Sequence, residues 1–291
     1  MVIWFWYTLV VAVMGGAGCA WVLSGVHAPS VRTWRRRLST VNLISASLLL
    51  VAVAARLWSQ TTQAFGGDQP MSTLLLRVIV TETPWGRGWT WQALGSALCL
   101  VGAMLVRRNN AQWPLLLTAA LFTAFATSFT GHAVGMNEGV WITVLAQGAH
   151  VIAAGLWLGT LAALLIVTFD DVDADGVTGT FRLALQRFST VAQPAVALLV
   201  LAGAVATWRH VGSVANMATP YGFVLALKVA AFAGAAACGF YNWQRLTPQL
   251  GVRRGALPRL WRLAGLEVSL GIVALALTAI IGTLPMPGHD H

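Results

Sequence analysis

The chain contains 291 residues, of which 57% are hydrophobic and 9% are charged, and its formal net charge is +9 at pH 7. So few charged residues exclude an ordinary soluble globular domain, in which about a quarter of the residues are charged. The positive charge does not indicate nucleic-acid binding, because the 17 arginines lie mainly at the margins of long apolar segments.

Eight apolar segments are long enough to cross about 30 Å of hydrocarbon as helices. A helix satisfies its own backbone hydrogen bonds in lipid, whereas an isolated strand does not. The third segment is the weakest prediction, since it is short and contains Gly95 and Gly102. The sequence therefore predicts an all-α polytopic membrane protein, a bundle of eight transmembrane helices forming one integral membrane domain over residues 1–291. The predicted spans lie near residues 2–25, 40–58, 89–106, 114–131, 140–168, 189–209, 221–243 and 262–284.

The arginines distinguish the two sides of this bundle. Thirteen of them fall in or beside the connections 1/2, 3/4, 5/6 and 7/8, and the other four are Arg56, Arg77, Arg87 and Arg209. Positively charged connections remain in the cytoplasm. Both termini are therefore predicted to be extracytoplasmic, as is the short tail at residues 285–291.

The longest outer connection covers residues 59–88. Within it, the segment MSTLLLRVIVT at residues 71–81 has the pattern of an amphipathic helix. We expect this helix to lie on the membrane surface, where it would shield the outer mouth of the bundle.

The connection between spans 4 and 5 reads TGHAVGMNEG at residues 130–139 and is predicted to face outwards. It contains His132 and Met136, and His150 lies well inside span 5. Imidazole and thioether groups are ligands for soft or borderline ions such as copper or zinc. Ideal antiparallel helices would offset His132 and His150 by about 12 Å in depth. The two histidines would then be successive stations, unless the connection dips into the membrane and brings them together.

Three further side chains inside the spans are candidates for a supporting role, since polar groups are costly in hydrocarbon. Trp157 lies about midway along span 5 and is predicted to share an interior surface with His150. Lys228 lies in span 7 and is expected either to snorkel outwards or to face the interior near His150. Glu267 lies in span 8 and is expected to meet the end of span 7 near Asn242, and not to pair with Lys228.

The second half of the chain resembles the copper resistance D (CopD) family of membrane proteins. The resemblance covers about residues 130–286, and helices 1–4, at residues 1–131, match mainly in hydropathy. It implies a multi-pass protein of the bacterial inner membrane that carries copper from the periplasm towards the cytoplasm. It also points to His132 and His150 as copper-handling residues and to a separate periplasmic copper donor. The motifs are GHA at 131–133, HVIAAGLWLGTL at 150–161, RFS at 187–189, YGFVLALK at 221–228, YNWQR at 241–245, and Glu267 followed by TLP at 283–285.

Other interpretations remain open at the level of sequence. The same histidines could serve a b-type haem protein in electron transfer, and His150 could simply link helices through a hydrogen bond. Met286, His289 and His291 in the tail could capture copper or belong to a flexible terminus. No catalytic set of residues is recognisable, so no enzymatic activity is predicted. The expected ligands are a copper ion and the lipid bilayer, and not nucleic acid.

Overall fold

The computed structural model describes residues 2–66, 70–130, 140–169, 177–211 and 218–284, without the side chains of residues 177 and 209–211. Every regular element in these ranges is helical. The α-helices are α1 Val2–Ser24, α2 Pro29–Phe65, α3 Thr73–Glu82, α4 Pro84–Arg108, α5 Trp113–Ala126, α6 Val140–Ala154, α7 Thr160–Thr168, α8 Val177–Val211, α9 Pro220–Tyr241 and α10 Ala256–Ile281.

Eight helical segments are long and apolar enough to cross a membrane, which confirms the predicted number of spans. The predicted third span is confirmed as α4. Several spans are longer than predicted, because hydrogen bonding within a helix continues into polar turns that an apolar pattern does not mark. Arginines assigned to the connections 1/2 and 5/6 consequently lie within the first turns of α2 and α8. The spans are Val2–Ser24, Pro29–Phe65, Pro84–Arg108, Asn110–Thr130, Val140–Thr168, Thr178–Trp208, Pro220–Gln249 and Ala256–Ile281.

Hydroxyl side chains cap the helices of the connection between α2 and α4. The Thr83 hydroxyl accepts a hydrogen bond from the Gly86 amide at 2.9 Å, and Pro84 occupies the first turn of α4. Ser72 caps α3 in the same way through the Leu75 amide, at 3.3 Å. Such caps satisfy amide groups that have no partner within the helix. The predicted helix within residues 71–81 is confirmed as α3, which packs against α4.

Helix α1 lies at the centre of the bundle. It contacts α2 and α5 on one side and the fifth span, α8 and α10 on the other. A glycine face makes this packing close: a methyl group on Gly15 would overlap the carbonyl carbon of Gly159, and one on Gly18 would overlap the Thr160 hydroxyl. Helix α1 therefore connects the first four spans to the last four.

Contacts bring three of the arginine-bearing connections to one end of the bundle. Arg37 donates from Nη1 to the Val167 carbonyl at 3.1 Å, and Arg187 donates from Nε to the Val22 carbonyl at 3.0 Å. The Trp261 ring meets Phe169 and Phe181, with ring centroids 5.6 and 6.0 Å apart. We call this the arginine-rich end; it carries Arg32, Arg35, Arg36, Arg37, Arg182, Arg187, Arg245, Arg253, Arg254, Arg259 and Arg262.

Candidate functional site

His150 lies in α6, about two-thirds of the way along it, and its side chain is half-buried. Its Nδ1 atom is buried and has no hydrogen-bond partner among the described residues. Gly203 of α8 faces the ring, since a Cβ at that position would lie 3.9 Å from Cε1 of His150. The imidazole therefore occupies the interface of α6 and α8 with one nitrogen free.

Lys228 of α9 is a source of charge that acts on this imidazole. Its ammonium group is half-buried and exerts a Coulombic effect on His150. Of the two positions expected for this lysine, this effect favours the one near His150, which stays a prediction. His150 thus lies between α6 and α8, within range of a charge carried by α9.

A wide turn follows α6 and changes the direction of the side chains beyond it. Residues Gly155–Gly159 form a π-helical turn, which inserts extra chain into the α-helix. Such turns occur frequently at functional sites. Because the predicted shared surface of Trp157 and His150 assumed a regular helix, that argument does not apply across this turn. The Trp157 indole instead donates from Nε1 to Oε1 of Glu267 in α10, at 2.8 Å.

Glu267 is the centre of a second buried cluster. It is 2% exposed, and its carboxyl group is hydrogen-bonded by both Trp157 and Asn242. Asn242 begins a second π-helical turn, Asn242–Leu246, at the end of α9. The predicted contact of Glu267 with this end of α9 is confirmed. Within the described ranges, no ion pair joins Lys228 and Glu267.

A third polar cluster lies at the end of the bundle opposite the arginine-rich end. Arg56 of α2 donates to the Gln92 side chain and, from Nη2, to the Thr130 hydroxyl at 3.1 Å. Its guanidinium also lies 5.1 Å from the Trp6 ring and 5.8 Å from the Trp85 ring, within cation–π range. Thr130 directly precedes residues 131–139, so Arg56 holds one end of that connection in place.

This role of Arg56 was missed at the level of sequence, where the residue counted only as one of four arginines on the outer side. The signal was present, because Arg56 stands near the end of the second apolar run and a charge in such a position has to find partners. What the pattern could not supply was the identity of those partners. Gln92 and Thr130 lie 36 and 74 residues away along the chain.

Two of the three predicted metal ligands, His132 and Met136, lie in residues 131–139, outside the described residues. The same holds for Met286, His289 and His291 in the tail. Within the described residues, no three or more His, Cys, Asp or Glu side chains are grouped so that they could hold a metal ion. Of the predicted ligands, the described structure therefore places His150 alone.

These features define a multi-pass helical membrane protein with three polar clusters spaced along its interior. The model of the family "Copper resistance protein D" matches residues 182–281, and that of "Copper resistance protein D-like, N-terminal domain" matches residues 1–142. The chain belongs to the copper resistance protein D family. The family likeness therefore includes the first four spans, beyond the motifs at residues 130–286.

One relative is named for its function: copper transport protein CutJ of Bacillus subtilis (strain 168). The chain is 26% identical to it over 260 residues, which cover 87% of this chain and 46% of that protein. The chain thus spans less than half the length of this relative. No solved structure matches the chain.

Proposed function

We propose that this protein takes copper from the periplasmic side of the bacterial inner membrane and moves it towards the cytoplasm. The path begins at a site made by His132, Met136 and His150 in the outer half of the bundle. Membership of a copper resistance family and similarity to a protein named for copper transport support this proposal. Both names describe copper handling and neither describes catalysis.

The observation that carries the proposal is the free nitrogen of His150. A buried polar atom without a partner costs about 1–3 kcal/mol, and of the atoms of this kind among the described residues the His150 nitrogen is the one that belongs to an imidazole. Neutral imidazole is a good copper ligand and brings no negative charge into the membrane interior. Nδ1 of His150 is a buried imidazole nitrogen without a partner, and it lies within a helix long and apolar enough to span the membrane.

His132 and Met136 supply the outer part of the site in this proposal. Arg56 fixes Thr130 at the outer end, and His132 follows two residues later. Between that level and His150, Gln147 donates to the Tyr7 hydroxyl at 3.5 Å, which links α6 to α1. Two arrangements of the histidines remain: successive stations about 12 Å apart in depth, or a single site beneath a dipping connection.

The charge of Lys228 favours copper(I) over copper(II) as the ion that passes His150. Coulomb repulsion scales with the charge of the ion, so copper(I) is repelled by the ammonium group half as strongly as copper(II). The thioether of Met136 also prefers copper(I). The hydrogen bond between Trp157 and Glu267 holds the fifth span against α10, further from the outer surface than His150. The proposed copper donor is a periplasmic protein.

A b-type haem would use the same histidine with a second one at the same depth. His210 lies seven residues beyond Gly203 on α8, which corresponds to about 10 Å along the helix from the level of His150. This separation disfavours His150 and His210 as an axial pair. Haem binding would give a Soret band in the purified protein, whereas the copper proposal predicts copper without that band.

Three alanine variants test the copper proposal: His132→Ala, His150→Ala and, as a control, His27→Ala. His27 is exposed near the arginine-rich end. Losing a copper ligand should lower copper affinity by at least about tenfold, since even losing a hydrogen bond to a metal ligand has effects of 10–100-fold. Copper bound per purified protein and copper accumulated by cells are measured at equal protein abundance.

We expect both outer-half variants to lose copper binding and accumulation, while His27→Ala keeps wild-type values. His132→Ala should weaken capture, and His150→Ala should block deeper binding. Wild-type binding and accumulation in both outer-half variants would contradict the proposal, and His150 would then serve only helix packing.

A further inference from the structure

A cavity of about 550 Å³ opens between α9 and α10 near the arginine-rich end of the bundle. It lies outside the histidine site, and the proposed copper path does not use it. Its lining combines basic, aromatic and apolar side chains: Ala237, Cys238, Tyr241, Arg259, Arg262 and Leu263.

The polar and apolar parts of this lining lie at different levels. Arg259 and Arg262 are three residues apart, so they share one face of α10 in its first turns. Tyr241 ends α9 at the same level, because α9 and α10 run antiparallel in contact. Ala237, Cys238 and Leu263 lie further from the arginine-rich end. The cavity therefore has a basic rim and an apolar interior.

The two arginines at the rim have no acidic partner among the described residues. The described residues include two acidic side chains, Glu82 and Glu267. Glu82 lies near the opposite end of the bundle, and Glu267 is buried and hydrogen-bonded to Trp157 and Asn242. Arg253 and Arg254, in the turn just before α10, add further positive charge. The rim thus presents exposed positive charge that no acidic side chain of the described residues neutralises.

We propose that this cavity is a binding site for an anionic phospholipid. The guanidinium groups of Arg259 and Arg262 hold the phosphate, since this planar group matches phosphate geometry with paired hydrogen bonds. The Tyr241 hydroxyl supports the headgroup at the rim, and an acyl chain lies along Ala237, Cys238 and Leu263. Basic pockets between transmembrane helices are known to recognise anionic headgroups in this manner.

The test compares two double variants with the same loss of charge. In Arg259→Gln/Arg262→Gln the rim of the cavity is neutralised, and in Arg253→Gln/Arg254→Gln the adjacent exposed turn is neutralised instead. Full-length protein is taken from mixed nanodiscs of phosphatidylglycerol and phosphatidylcholine, and retained lipid is counted by native mass spectrometry. We expect the rim variant to retain roughly tenfold less phosphatidylglycerol than wild type, and the turn variant to resemble wild type.

Measurements of thermal stability distinguish a bound lipid from other sources of negative charge. Phosphatidylglycerol should stabilise wild-type protein against heat, and neither phosphatidylcholine nor free glycerol phosphate should do so. Equal loss of lipid in the two double variants would overturn the proposal in favour of a general charge effect. Unchanged lipid in the rim variant would also overturn it. Equal protection by free glycerol phosphate would reduce the site to an anion site.

Discussion

At the scale of single residues, the fifth and eighth spans are joined by one hydrogen bond between two side chains that an apolar environment makes costly. Trp157 is 5% exposed and Glu267 is 2% exposed, so neither has water as an alternative partner. A methyl group on Gly239 would lie 2.7 Å from Oε1 of Glu267, which shows how closely α9 covers the carboxyl group. The hydrogen bond of Trp157 is therefore central to this region of the bundle.

Replacing Trp157 by Phe should destabilise the protein by about 1–3 kcal/mol, because the carboxyl group of Glu267 loses a donor while it remains buried. Thermal unfolding of the full chain in detergent measures the change. Trp243→Phe is a matched control, since that indole is 41% exposed. A coupling energy near zero between Trp157→Phe and Glu267→Gln in a double-mutant cycle would contradict the assigned hydrogen bond.

Contacts of single residues were predicted correctly from the sequence where the prediction depended only on the depth of each residue in the membrane. Glu267 and Asn242 were matched correctly because α9 and α10 are consecutive antiparallel helices. The bond between Trp157 and Glu267 was missed because its partners lie 110 residues apart. In an ideal α-helix, Trp157 and His150 would lie on the same face. The π-helical turn at Gly155–Gly159 changes that relation, and hydrophobic periodicity does not reveal such a turn. His132 and Met136 remain predictions, since they lie outside the described residues.

At the scale of elements, the close packing of α1 on the fifth span depends on glycine at both surfaces. A methyl group on Gly15 would overlap the backbone of Gly159, and one on Gly159 would overlap the Val11 carbonyl oxygen. Small residues allow helices in lipid to approach closely, and van der Waals packing then stabilises their association. The eight spans could be predicted from apolar length, but this pairing of α1 with a distant span could not.

Gly15→Ala should destabilise the protein by about 1–3 kcal/mol or more, because the added methyl group meets backbone that cannot move aside by rotating a side chain. Gly265→Ala in α10 is the matched control, since nothing lies within 4 Å of a methyl group there. The control should leave stability unchanged or raise it by up to about 1 kcal/mol. Equal melting temperatures for the two variants would show that α1 does not pack as described.

At the scale of the whole molecule, the distribution of arginines makes the two ends of the bundle chemically different. The hydrogen bonds of Arg37 and Arg187 join the connections 1/2 and 5/6, and the ring contacts of Trp261 bring the connection 7/8 to the same end. Which side of the membrane this end faces is a prediction from the positive-inside rule. The family match and the helical fold are independent of that orientation.

Both termini are predicted to be extracytoplasmic, on the basis of thirteen arginines on one side against four on the other. Alkaline phosphatase fused to the C-terminus should therefore be active, and a fluorescent protein that matures only in the cytoplasm should be dark. The same reporters placed after Asn109, in the connection between α4 and α5, should give the opposite result. A fluorescent C-terminal fusion would reverse the predicted orientation of the protein in the membrane and the proposed direction of copper movement.

The central position of α1 also has a consequence for how the chain is made. Ribosomes add about 5–20 residues per second, so Gly159 emerges about 7–30 seconds after Gly15. During that interval the glycine face of α1 is already in the membrane, or in the insertion machinery, without the fifth span that later covers it. The glycine face of α1 therefore waits for a partner made much later, and its small residues leave little apolar side chain exposed to a competing neighbour in the meantime.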